Sequence, residues 1–124
     1  MQHRMTPVVP DDPQQLRIVT AALCQDLNRE IRRFETGAEN FSDLNELYYS
    51  VYQPKALALI IALLKHVPSS DPRIAVLGQD AHGRLYKSND HIMVNASLNE
   101  ATTVMQLKDV IQRLEQLLAY LPQN

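Results

Sequence analysis

One cysteine, Cys24, is the only thiol in this 124-residue chain, so no intrachain disulfide is possible. A lone thiol suits a reducing compartment, and the expected location is the cytoplasm. The first ten residues lack a leader's apolar stretch: His3 and Arg4 give way to Thr6-Pro7-Val8-Val9-Pro10, which reads as a flexible arm over 1–10. Glycine is equally scarce. Gly37, Gly78 and Gly83 stand at no spacing that builds a phosphate or dinucleotide loop, which excludes nucleotide binding of those kinds. The longest apolar run, 56–64, falls well short of the roughly 20 residues that span a bilayer, so a buried helix and no membrane partner are expected. Charge of one sign is lacking too. Twelve Lys and Arg against fourteen Asp and Glu leave a formal charge of −2, without the positive field that draws a chain to nucleic acid.

What is present is the composition of one soluble globular domain, with 45% hydrophobic and 21% charged residues, assigned to 11–124. Asp12-Pro13-Gln14-Gln15 opens a first helix, since Asp12 accepts at N3 and Pro13 suits N1. Leu16, Val19, Leu23, Leu27, Ile31 and Phe34 then recur at steps of three and four until Thr36-Gly37, predicting a helix over about 13–35. Arg29, Arg32 and Arg33, offset by Asp26 and Glu30, read as its solvated face. Ser42-Asp43 opens a second helix over about 43–52, which Pro54 interrupts, and a third follows over about 54–67. The third is apolar on nearly every side and reads as the centre of the core. Two N-x-S triplets, at Asn40 and Asn95, lie where helices begin and read as caps rather than glycan acceptors.

From Arg73 the period changes. The runs 74–77, 84–87 and 91–94, separated by turn residues around Gly83 and Asn89, predict a β-hairpin or three-stranded meander within 73–95. The expected class is therefore α+β, mostly helical, with the N-terminal helices packed on a long last helix over about 98–121. Ser97 as N-cap and Glu100 three residues later form the capping box that opens it. Val104, Leu107, Ile111, Leu114, Leu118 and Leu121 alternate steps of three and four, the pattern of a coiled-coil seam, widened by Val110 and Leu117. That stripe predicts self-association into a homodimer.

No catalytic motif emerges. His82, His91, Asp80 and Asp90 crowd the hairpin region, yet they match no ligand or acid–base spacing and read as turn residues. Cys24 has no histidine beside it and reads as a buried, inert thiol. The aromatics concentrate at Phe34, Phe41, Tyr48, Tyr49 and Tyr52, and Tyr49 with Tyr52 form a weak candidate partner patch. No catalytic, metal or cofactor site is assigned. The expected function is a non-catalytic protein–protein interaction module, of the adaptor, secretion or assembly chaperone, inhibitor or immunity-type regulator kind. Its protein partner is unidentified. The alternative is a winged-helix-like DNA-binding regulator, which the element order resembles, but the helix at 54–66 would then read bases with only Lys55, Lys65 and His66.

Overall fold

The computed structural model describes residues 8–66 and 98–121. Helix α1 spans Pro13–Glu35, on the predicted bounds. The Asp12 carboxylate accepts from the Gln15 amide at 3.0 Å, which satisfies one of the amides a helix start leaves over. Leu16, Leu23, Leu27 and Ile31 are buried along one face, with Val19 and Phe34 at its margins. At the other end Gly37 adopts φ 81°, the left-handed conformation that glycine reaches without strain. The chain then folds back, and the amides of Thr36, Gly37 and Glu39 donate to the carbonyls of Arg32, Phe34 and Arg33.

The second helix starts earlier than Ser42-Asp43 suggested. Asn40 is its N-cap: its Oδ1 accepts from the Asp43 amide at 2.8 Å, and its Nδ2 donates to the Asp43 carboxylate at 3.1 Å. Pro54 does not break the chain into two helices. Helix α2 (Phe41–Leu47), a π-helical turn (Tyr48–Tyr52) and helix α3 (Gln53–Leu64) form one continuous helix. The π turn is the reason. The Gln53 amide donates five residues back to the Tyr48 carbonyl, and Pro54, the second residue of α3, needs no intrahelical acceptor for the amide it lacks. Bridged in this way, Phe41–Leu64 is long and apolar enough to cross a membrane by length and composition alone, and half of its most apolar stretch is buried inside the structure.

Helix α4 (Thr103–Leu118) follows a 3₁₀ turn (Glu100–Thr102). Its start is organised by Asn99, whose side chain accepts from the Ala101 amide at 2.9 Å, while the Thr103 hydroxyl donates to the Asn99 carbonyl at 2.8 Å. The expected cap, Ser97, lies outside the described residues. Helix α4 packs on both α1 and α3. The Arg17 guanidinium donates to the Leu121 carbonyl at 3.2 Å, so the start of α1 meets the end of α4 and the two run antiparallel. The Leu98 amide donates to Asn45 Oδ1 at 2.6 Å and ties the entry of α4 to α2.

The expected α+β class is corrected. Among the described residues there is no strand, and the fold they make is helical. The runs within 73–95 that suggested a hairpin lie outside the described residues. Runs of four apolar or β-branched residues are too short for periodicity to separate strand from other structure, whereas the helical stripes extend over several turns and determine the core.

Candidate functional site

The predicted self-association seam lies inside the single chain. Leu107, Ile111, Leu114 and Leu121 are buried, as are the flanking Val110 and Leu117, while Val104 and Leu118 are half-buried at the edge. Helices α1 and α3 provide the cover. Each buried Leu or Ile contributes about 1.5–3 kcal/mol when removed from water, and here one copy of the chain takes that gain in full. Among the described residues the buried part of this stripe is therefore covered within one chain, with Val104 and Leu118 left at its edge.

The candidate tyrosines separate. Tyr49 is half-buried, whereas Tyr52 is buried with Tyr48, so Tyr52 offers no ring to a partner. Instead its hydroxyl donates to Glu30 Oε2 at 2.7 Å. Glu30 is only 4% exposed, which corrects its assignment to the solvated face of α1. Tyr52 is the last residue of the π turn, so the hydrogen bond to Glu30 ties that turn to α1. Arg33 Nε forms an ion pair with Glu30 Oε1 at 3.6 Å, too far for a hydrogen bond, and that oxygen is buried without a hydrogen-bond partner. Burial first, and then the bond to Glu30, push the Tyr52 phenol well above its ordinary range. Tyr52 thus stays a proton donor rather than a phenolate. The sequence held a faint signal for this cluster: Glu30 follows Leu27 by three and precedes Ile31, so a carboxylate sits at the edge of an apolar stripe. Its partner, 22 residues away, was not legible.

Cys24 is buried, and its thiol is pushed up to about 11, first by burial and then by the charge of Glu115. That is opposite to what a nucleophilic cysteine requires. Native protein should react with a thiol reagent at least about tenfold more slowly than protein in denaturant, since only the thiolate attacks; equal rates would place Cys24 at the surface. His82, His91, Asp80 and Asp90 lie outside the described residues. Among the described residues no three His, Cys, Asp or Glu side chains converge as metal ligands. In α3, where a DNA-reading helix would stand, Pro54, Ala56, Leu57, Leu59, Ile60 and Leu63 are buried, which is the pattern of a core helix.

Among the described residues, an unusual surface is the outward face of the first half of α1. Gln14, Gln15, Ile18, Ala21, Ala22 and Gln25 are exposed there in succession, with Ile18 60% exposed at their centre. Between Asp12 and Asp26 the only charged residue is Arg17, and its guanidinium is turned to the carbonyl of Leu121. Solvent faces of helices ordinarily carry charge. No family model, curated protein or solved structure matches the chain, so the functional reading rests on these surfaces.

Proposed function

We propose that the chain is a non-catalytic protein–protein interaction module that holds its partner against the outward face of α1. The observation that carries this reading is the run of exposed, uncharged residues from Gln14 to Gln25 around Ile18. Depletion of charge is the compositional mark of the central part of a protein interface, and between Asp12 and Asp26 only Arg17 is charged. The enclosed Cys24 and the hydrogen-bonded Tyr52 fit a scaffold better than a reaction centre. A different protein is favoured over a second copy, because the α4 stripe that suggested self-association is occupied within the chain. An adaptor, an assembly chaperone or an inhibitor would each use a surface of this kind.

Substitution at an exposed position separates binding from folding. Ile18→Glu should leave the helical circular dichroism and the unfolding midpoint unchanged, since Ile18 makes little use of the core. The same change should weaken retention of the partner from the native host about tenfold or more, equivalent to ~1.4 kcal/mol, by placing a charge where the interface desolvates it. Undiminished retention would remove the α1 face from the account.

A further inference from the structure

The turn that ends α1 brings a second carboxylate back over Glu30. The left-handed Gly37 and the bond from the Glu39 amide to the Arg33 carbonyl, 3.2 Å, fix where Glu39 returns. Both glutamates then have a buried oxygen without a hydrogen-bond partner, Glu30 Oε1 and Glu39 Oε1. The two carboxyl groups lie within hydrogen-bonding reach of one another, and two acceptors so placed have one economical remedy, a proton held between them.

We propose that Glu30 and Glu39 form a carboxyl–carboxylate pair that shares one proton at mildly acidic pH and so fastens the α1–α2 turn onto α1. Glu30 already accepts from the Tyr52 hydroxyl and faces Arg33, an environment suited to the acceptor of the pair. The shared proton is therefore carried by Glu39. Around Glu39 stand Glu30 and Arg33 from α1 and Asp43 from α2; around Glu30 stand Arg33 and, from the π turn, Tyr52, with Arg29 and Asp26 beyond it. Burial is the main influence raising the affinity of Glu39 for a proton, Glu30 adds to it by hydrogen bonding and charge, Arg33 opposes it, and Asp43 adds a little. A metal ion is a poorer occupant, because Arg33 already places positive charge beside Glu30 and no third ligand converges among the described residues.

The sign of the pH dependence follows. A carboxyl whose proton is held more tightly in the folded chain than in the unfolded one stabilises the fold below the ordinary carboxylate range, and this contribution is lost as pH rises through the raised value. Glu39→Gln places a permanent donor where the proton would be. This variant should unfold at a higher midpoint than the wild type at neutral pH, and the difference should vanish at mildly acidic pH. Glu39→Ala, which removes the charge but offers no donor to Glu30 Oε1, should show a clearly smaller gain. In a carboxyl-carbon magnetic resonance titration, Glu39 should titrate above the ordinary glutamate midpoint in the wild type. Identical behaviour of the Gln and Ala variants, or an ordinary midpoint for Glu39 in the wild type, would overturn the pair. Neither readout involves the proposed partner, so this inference stands or falls apart from the α1 interface.

Discussion

Leu114→Ala lowers the unfolding free energy by about 2–5 kcal/mol, and by the same amount at every protein concentration. Leu114 is fully buried in α4, where α1 and α3 close over it, and truncation leaves a cavity that rigid helical neighbours fill only in part. A domain of this size has on the order of 5–15 kcal/mol in total, so the variant sits near the edge of folding. Leu118→Ala, at the half-buried margin, should cost clearly less. The contrast comes from packing in one chain: in a two-stranded seam Leu114 and Leu118 would both be core positions with similar costs, and the unfolding midpoints would rise with protein concentration. Chemical denaturation of both variants at two well-separated concentrations checks it. A concentration-dependent midpoint would restore α4 as an interface.

Tyr52→Phe should cost about 1.5–3 kcal/mol, the range for a buried hydrogen bond to a charged group, although it removes a single oxygen. The ring volume is kept, so no cavity forms. What is lost is the donor to Glu30 Oε2, and Glu30 Oε1 is already without one. The carboxylate is then left enclosed without its nearest donor, with Arg33 at 3.6 Å and the charge of Arg29 as partial compensation. In a Glu30→Gln background the same Tyr52→Phe change should cost noticeably less, and the difference between the two is the coupling of the pair. A cost near zero in the wild-type background would mean that water reaches Glu30.

The helical framework was readable because its signals are local and repeated. Asp12 and Gly37 mark both ends of α1, and the stripe from Leu16 to Ile31 gives its buried face. The capping role of Asn40 was readable from its place ahead of a helix, although the start itself was set at Ser42-Asp43. Pro54 misled because its effect depends on the hydrogen bonds of the preceding turn: in a π turn the Gln53 amide reaches Tyr48, and proline fits the start of the next helix. The α4 stripe was legible as a stripe, but periodicity states that a face is apolar and not which chain covers it. Glu30 was placed in solvent on charge alone. In the fold it is buried and accepts from a tyrosine 22 residues away, a contact no short window contains. The outward face of α1 carries no motif, being marked instead by the scarcity of charge between Asp12 and Asp26.

That surface carries the functional account, and a photo-reactive side chain introduced at position 18 examines it most directly. Met105, 70% exposed on α4, provides the comparison, because it is equally open to solvent but lies among charged and polar neighbours such as Lys108 and Asp109. Irradiation in the native host should join the partner to the chain from position 18 and not from position 105. Cross-linking from position 105 alone, or from neither, would contradict the assignment of the α1 face.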